Sequence, residues 1–253
     1  MDPRVEKVWL WPNLLSLDAP FVALLWQILF ARCFHARVDP LPSILLVLAV
    51  WLIYAADRTL DAWMGSSVRP RHEFYRRHWR ALLPLWIVAL AAGSALAWTR
   101  LTREMLYSGI ALGFAVALYF ALLHLGIFHK TKEAAVAVLF ALGATLSAWT
   151  NVRTAVDIEA IILFSCLCWI NCAAIEQWEG ESQWPIAAPA GFVAVAAAML
   201  LFSSRPVLGG AVAASALCFV LLDRARRHFS RDALRVLADV ALLSPLFLLP
   251  VVM

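Results

Sequence analysis

The chain contains about nine continuous apolar segments, each roughly 20 residues long. A helix of that length crosses the ~30 Å hydrocarbon core of a bilayer, in which only helices and closed barrels satisfy every backbone polar group. The segments are rich in Leu, Ala and Val and lack the alternation of a barrel strand. Only 15% of the residues are charged, against about 25% in a soluble domain. The sequence therefore predicts an all-α, polytopic membrane helical bundle.

The connections between the apolar segments are short, so we predict a single integral membrane domain over residues 1–253. About nine transmembrane helices are predicted, at residues 14–34, 40–63, 80–98, 104–126, 133–151, 156–178, 184–203, 205–223 and 234–252.

The basic residues predict the orientation of the chain. With a cytoplasmic N-terminus, 15 of the 21 Lys and Arg residues face the cytoplasm and 6 face the opposite side, as the positive-inside rule favours. The net charge of +4 does not indicate nucleic-acid binding, because the basic residues lie next to spans, where they meet anionic lipid. We therefore expect a multi-pass membrane protein, in the inner or plasma membrane if bacterial, with a cytoplasmic N-terminus and active site.

Acidic residues interrupt the apolar pattern at the end of span two. Asp57 and Asp61 share one helix face with Trp51, Tyr54 and Arg58, because these positions repeat at the helical period. The face is aromatic deeper in the membrane and carries carboxylates at its cytoplasmic end.

Span six ends in the same way. Glu176 and Glu179 share a face with Trp169 and Cys172. The two helix ends align at a constant offset of 118 residues: Glu179 corresponds to Asp61, and the tryptophan of span six corresponds to that of span two. This match predicts a diverged internal repeat of spans one to four and five to eight, followed by span nine. Both acidic ends then lie on the cytoplasmic side.

Carboxylates at these helix ends are electrostatically unfavourable unless something compensates their charge. A carboxylate at a helix C-terminus opposes the macrodipole by roughly 0.3–1 kcal/mol, and carboxylates that face one cavity repel each other. A hard divalent cation with oxygen ligands, held partly by a substrate phosphate, removes this repulsion, and these properties describe Mg²⁺. The alternative that they are ordinary interfacial acids, paired with Arg58 or nearby basic residues, stays open.

Basic residues beside the acidic ends could complete a phosphate site. Cations next to a diphosphate stabilise it as a leaving group. The positive-inside rule also accounts for basic residues in these loops. The diphosphate-binding candidates are Arg58, Arg69, Arg71, Lys130 and Lys132.

Asp18, Asp239 and Cys172 are further candidates. Asp18 is also explained as a first-turn acid at the start of span one. Asp239 lies about one turn inside span nine, four residues after Arg235, which could pair with it. An intramembrane acid is nonetheless a functional candidate by default. Cys172 joins the set because it lies on the acidic face of span six.

At these residues the chain resembles the UbiA-type intramembrane prenyltransferase superfamily. That family has nine helices and an Asp-rich motif of the form N-D-x-x-D-x-x-x-D at the cytoplasmic ends of its second and sixth helices. The first motif would run from Ile53 to Asp61 and keeps the acids at Asp57 and Asp61. The second would run from Asn171 to Glu179, with Cys172 at a position where the family has Asp.

The resemblance implies an enzyme that transfers an isoprenyl group from a polyprenyl diphosphate to a lipid or other hydrophobic acceptor. The diphosphate would leave an allylic cation, which Trp51, Tyr54 and Trp169 could shelter. Mg²⁺ would be held by Asp57, Asp61, Asn171, Glu176 and Glu179.

Three alternatives remain open. A terpene cyclase of the same superfamily would quench the cation within its own chain, which suits the aromatic faces. A degenerate member would bind isoprenoid without catalysis. An ion-coupled transporter would use the acids for ions or protons, although transporters commonly place such sites near the bilayer midplane.

The predicted orientation can be tested with reporter fusions. We expect fusions at Val68 and Ser230 to lie on the same, cytoplasmic side, because each follows an even-numbered span. Reporters on opposite sides of the membrane would show that the predicted topology is wrong.

Overall fold

The computed structural model describes the backbone of residues 11–64, 70–125, 132–180 and 185–252, and the side chains of these residues except 61–64, 70–73 and 124. Within these ranges all regular secondary structure is helical, which confirms the all-α prediction. Three short 3₁₀ segments lie at Leu146–Asn151, Leu200–Phe202 and Arg226–His228. The α-helices are α1 (Trp11–Leu14), α2 (Asp18–Cys33), α3 (Pro40–Met64), α4 (Pro70–Arg100), α5 (Arg103–His124), α6 (Lys132–Thr145), α7 (Ala155–Glu179), α8 (Ala187–Met199), α9 (Pro206–Ala225), α10 (Arg231–Ala241) and α11 (Pro245–Val252).

Seven helical segments within the described ranges are long and apolar enough to cross a membrane. They are Pro40–Leu60, Phe74–Arg100, Arg103–Leu123, Lys132–Asn151, Ala155–Glu179, Pro206–His228 and Arg231–Val252. The chain is therefore a multi-pass membrane protein.

The predicted first and seventh spans coincide with shorter helices. Helix α2 has 16 residues, and α8 has 13 residues before its 3₁₀ extension to Phe202. At 1.5 Å per residue, a 16-residue helix is about 24 Å long and falls short of the ~30 Å hydrocarbon core. The prediction of nine transmembrane helices is therefore not confirmed.

Contacts between Cα atoms divide the chain into two compact units. Unit one comprises residues 11–24 and 39–106 of the described chain, and unit two comprises residues 25–38 and 107–252. The predicted single membrane domain and its internal repeat stay predictions.

In unit one, α3 and α4 pack against each other. The indole Nε1 of Trp86 donates a hydrogen bond of 2.9 Å to the carbonyl oxygen of Leu52. Helix α4 begins at Pro70, three turns before the predicted start of span three at residue 80. Proline is favoured in the first turn of a helix because its fixed φ suits that position. The polar segment before the apolar block is therefore helical.

Unit two is built around α7, whose buried face is lined mainly by small, aliphatic and aromatic residues. Phe164 stacks on Trp26 with ring centroids 4.2 Å apart, and both side chains are fully buried. Helices α8 and α9 approach closely at Gly209, where a Cβ atom would lie 2.6 Å from Leu200 Cβ and 2.7 Å from the Ala197 carbonyl oxygen. Only glycine fits this contact.

The predicted ninth span is two helices, with a break between α10 and α11. The break leaves backbone groups that hydrocarbon cannot satisfy, so they need partners within the protein. Trp26 Nε1 donates to the Leu242 carbonyl oxygen at 2.9 Å. The hydroxyl of Ser244 donates to the Ala211 carbonyl oxygen and accepts from Ser215, each at 2.8 Å. These bonds fix the break against α2 and α9.

The start of α7 is held by an ion pair to the N-terminal end of α9. Asp157 is fully buried, and its carboxylate accepts from Arg205 Nε at 2.6 Å and from the backbone N–H groups of Arg153 and Thr154 at 2.9 Å each. Thr154 and Asp157 form a capping box. Arg205 also lies 5.2 Å from the ring of Phe34.

Asp157→Asn should lower the free energy of unfolding by about 3–5 kcal/mol, because it leaves the partly buried Arg205 without its counter-charge. The exposed Glu159→Gln, on the same helix, is the matched control and should stay within about 0.5 kcal/mol of wild type. Denaturant titration in mild detergent measures both variants. Equal stabilities would contradict a structural role for this ion pair.

Candidate functional site

The end of α7 carries the acidic residues predicted for the second motif. Trp169, Cys172, Glu176 and Glu179 are all half-exposed, whereas the neighbouring Trp178 is buried. The predicted shared face therefore exists, and it is the least buried side of the last three turns of α7. The helix ends at Gly180, whose φ of 83° stops it.

Two other helices bring basic side chains to this end of α7. Lys132 is the first residue of α6, and its Nζ lies 2.9 Å from Glu176 Oε1. Arg235, in the second turn of α10, forms an ion pair with Glu179. Helix α10 begins where the Ser230 hydroxyl accepts a hydrogen bond from the backbone N–H of Ala233 at 3.2 Å.

A third carboxylate completes this group. Glu133 lies in the first turn of α6, where a negative charge suits the helix dipole. Its Oε1 atom is buried, lies 3.6 Å from Lys132 Nζ and has no hydrogen-bond partner among the described residues. We call Lys132, Glu133, Glu176, Glu179 and Arg235 the charged cluster.

The charged cluster has one more carboxylate than basic groups, and all of it lies within unit two. Its side chains are between 13% and 39% exposed, so water or a ligand can reach them while the charges are only partly screened. The arrangement can take up a cation at its carboxylates and an anion at its basic groups.

The Mg²⁺ implied by the family resemblance fits the donor chemistry of the charged cluster. Among the residues whose positions are described, no group of three or more His, Cys, Asp or Glu side chains could hold a metal ion by itself. Mg²⁺ is usually bound through one or two carboxylates together with substrate phosphates. Glu176 and Glu179 supply two carboxylates, and the Glu133 Oε1 atom is a nearby acceptor that receives no hydrogen bond from the described residues. Asn171 is buried on α7, and its Nδ2 has no hydrogen-bond partner in the described part of the chain.

The first motif lies at the end of α3, in unit one. Trp51, Tyr54 and Asp57 are half-exposed, as on α7, and Trp51 Nε1 donates to the Leu15 carbonyl oxygen at 3.2 Å. Asp61 lies near the end of α3, and its side chain is outside the described residues.

Of the predicted diphosphate-binding residues, Lys132 belongs to the charged cluster. Arg69 and Lys130 lie outside the described residues, and so does the side chain of Arg71. The prediction that the two motifs line one cavity stays a prediction.

Arg58 has partners within unit one. It is 7% exposed, its guanidinium donates to the Asn13 carbonyl oxygen, and it lies 3.9 Å from Asp18 Oδ2. Asp18 is the first residue of α2 and also accepts from Asn13 Nδ2 at 2.6 Å. These contacts join α3 to the start of α2, so Arg58 has a structural role beside its predicted one.

The sequence interpretation missed several charged residues that the fold uses. Asp157 had a local signal, the capping box with Thr154. Asp223 had none: it accepts from Trp178 Nε1 and from the backbone N–H of Ala187, both at 3.2 Å, and so joins α7, α8 and α9. Arg235 was considered only as a possible partner of Asp239, and its ion pair with Glu179 joins residues 56 positions apart. Such distant pairs leave no periodic pattern.

Comparison of the chain with protein-family models, curated proteins and solved structures finds no match. The function proposed below therefore depends on the charged side chains at the ends of α3, α6, α7 and α10.

The role of Arg58 can be tested in the absence of any substrate. Arg58→Gln should lower the free energy of unfolding by about 1.5–3 kcal/mol, because hydrogen bonds to a buried charged group are lost. Arg77→Gln removes an exposed arginine of α4 in the same unit and should have little effect. Unfolding of the two purified variants in detergent gives the comparison. If Arg58→Gln matched Arg77→Gln in stability, the contacts with Asn13 and Asp18 would not be structural.

Proposed function

We propose that this chain is an intramembrane enzyme of the UbiA type, which transfers an isoprenyl group from a polyprenyl diphosphate to a hydrophobic acceptor in the membrane. The observation that carries the proposal is the charged cluster, in which two α7 carboxylates lie beside Lys132 and Arg235 at a helix end of a multi-pass protein. Metal-binding oxygens and phosphate-binding cations are thus available side by side.

In the proposed reaction, Lys132 and Arg235 donate charge-assisted hydrogen bonds to the diphosphate oxygens. The bond between the isoprenyl carbon and the diphosphate oxygen breaks, and its electron pair goes to the diphosphate. The basic side chains stabilise the charge that develops there. Glu176 and Glu179 would hold Mg²⁺, which would supply further charge neutralisation when bound. An electron pair of the acceptor then attacks the allylic carbon, and the acceptor loses a proton.

The half-exposed face of α7 can accommodate the hydrophobic part of the substrate. Trp169 lies about two turns deeper than Glu176, so an isoprenyl chain whose diphosphate lies at the charged cluster would run past its ring. An aromatic face stabilises a cation next to it by roughly 0.5–2 kcal/mol. The proposal includes α2 and Ala187–Phe202 as two short spans, which gives nine, and places the cluster on the cytoplasmic side.

A second candidate is an isoprenoid-binding protein without catalysis. The observation that favours it is that Glu176 and Glu179 are already paired with basic side chains of the same unit. Such pairing stabilises the helix end and weakens the carboxylates as metal ligands.

Incubation of the purified protein with Mg²⁺ and geranyl, farnesyl or geranylgeranyl diphosphate separates these functions. Diphosphate release that requires added membrane extract would support transfer to an acceptor. Release without extract, together with a cyclic hydrocarbon, would support a terpene cyclase. Binding of the diphosphate without release would support the non-catalytic protein.

Asp61→Asn should abolish Mg²⁺-dependent turnover while the protein stays folded and inserted. The substitution keeps the volume of the side chain and removes the charge that a hard cation needs, which is worth several kcal/mol in metal catalysis. Asp39→Asn, just before the opposite end of α3, is exposed and serves as the matched control. Turnover and thermal unfolding are measured for both variants. Asp61 is one of the Mg²⁺ ligands that the family resemblance implies, and near-wild-type activity of Asp61→Asn would remove it from that set.

A further inference from the structure

We infer that Lys132 and Arg235 neutralise Glu176 and Glu179 of the charged cluster without ligand, so that divalent cation and diphosphate bind to it cooperatively. The inference rests on the proposed function and concerns residues of unit two alone. Arg235 is the new member of the site, because the family resemblance implied no role for it.

Two ion pairs connect the basic and the acidic side chains of the charged cluster. Lys132 Nζ lies 2.9 Å from Glu176 Oε1, and Arg235 is paired with Glu179 across the α7–α10 contact. Each pair is partly buried, with side chains of Glu179 and Arg235 only 16% and 13% exposed. Screening by water and salt is therefore weaker than at an open surface. A divalent cation that arrives alone must compete with an ammonium and a guanidinium for the same carboxylates.

A diphosphate removes that competition. Its oxygens offer Lys132 and Arg235 acceptors that carry more negative charge than the carboxylates, and a guanidinium binds phosphate oxygens in a bidentate manner. Once the basic groups turn to the phosphate, Glu176 and Glu179 lose their counter-charges. The carboxylates then repel each other and the buried oxygen of Glu133, until a cation binds between them and the phosphate. Each ligand thus creates the site for the other.

The exchange is a coupling free energy between two ligands, and it must be reciprocal. It predicts weak binding of a divalent cation alone, weak binding of a diphosphate alone, and tight binding of the two together. It also predicts opposite effects when the basic groups are removed. The cation alone should then bind more tightly, because Lys132 and Arg235 no longer compete for its ligands, whereas the diphosphate should bind less tightly.

The test uses the full-length protein in detergent, with Mn²⁺ and inorganic pyrophosphate as probes. Free Mn²⁺ is followed by its EPR signal, and radiolabelled pyrophosphate by equilibrium dialysis with correction for the Mn²⁺–pyrophosphate complex in solution. Lys132→Gln/Arg235→Gln should bind Mn²⁺ alone about 5–150-fold more tightly than wild type, the usual range of such coupling. The same variant should bind pyrophosphate in the presence of Mn²⁺ more weakly by a similar factor.

Arg224→Gln/Arg227→Gln is the matched control, because it removes two exposed charges from the last turn of α9 and the 3₁₀ segment that follows it. It corrects for the general effect of net charge on cation binding and should leave both affinities close to wild type. Lys132→Gln alone, at the more exposed side chain, should show part of both effects and serves if the double variant does not fold.

Two results would overturn the inference. One is equal affinity for Mn²⁺ in wild type and in the Lys132→Gln/Arg235→Gln variant. The other is the same increase in the Arg224→Gln/Arg227→Gln control. The proposed function fails separately: the expected Mn²⁺ and pyrophosphate changes without any turnover of isoprenyl diphosphates would refute catalysis and leave the cooperative site in place. Turnover of isoprenyl diphosphates without the expected Mn²⁺ and pyrophosphate changes would support catalysis and refute the cooperative site.

Discussion

Helix α7 is fixed at both ends by charged side chains from other helices, and unit two is organised around it. At its start, the fully buried Asp157 accepts hydrogen bonds from Arg205 and from two backbone N–H groups. At its end, Glu176 pairs with Lys132 and Glu179 pairs with Arg235. In a chain this apolar, a charge without a partner is expensive to bury, so these pairs constrain which helices can neighbour α7.

The two ends of α7 nevertheless differ in kind. Asp157 is closed off from solvent, and its contacts satisfy the carboxylate and the helix N-terminus together, which describes a structural element. The side chains of the charged cluster are partly exposed, and one excess carboxylate has a buried oxygen with no hydrogen bond among the described residues. Incomplete satisfaction of this type is common where a ligand completes the site. The contrast is the physical reason for placing chemistry at the α7 C-terminus.

Much of the helical architecture could be predicted from the sequence, because apolar length and helical period are local properties. The acidic face of α7 was predicted from Trp169 to Glu179, and its four residues are half-exposed together. The first three turns of α4 were not predicted, because their polar residues lack the apolar pattern of a membrane span. Pro70 was nevertheless a sequence signal for the start of a helix. The partners of Arg58 and Arg235 could not be predicted, since they depend on which helices meet in space rather than on spacing along the chain.

The close contact at Gly209 has a consequence for the placement of the short helix α8. Helix α8 and its 3₁₀ extension form a short apolar segment. The backbone of α9 packs directly against Ala197 and Leu200 of this segment, because Gly209 has no side chain to separate them. A segment this short gains less from hydrocarbon than a full-length one does. Its direct packing against α9 ties its position to that helix. A side chain at position 209 would have to displace α8 and its 3₁₀ extension from α9, so the placement of this short apolar segment depends on the absence of a Cβ atom in a different helix.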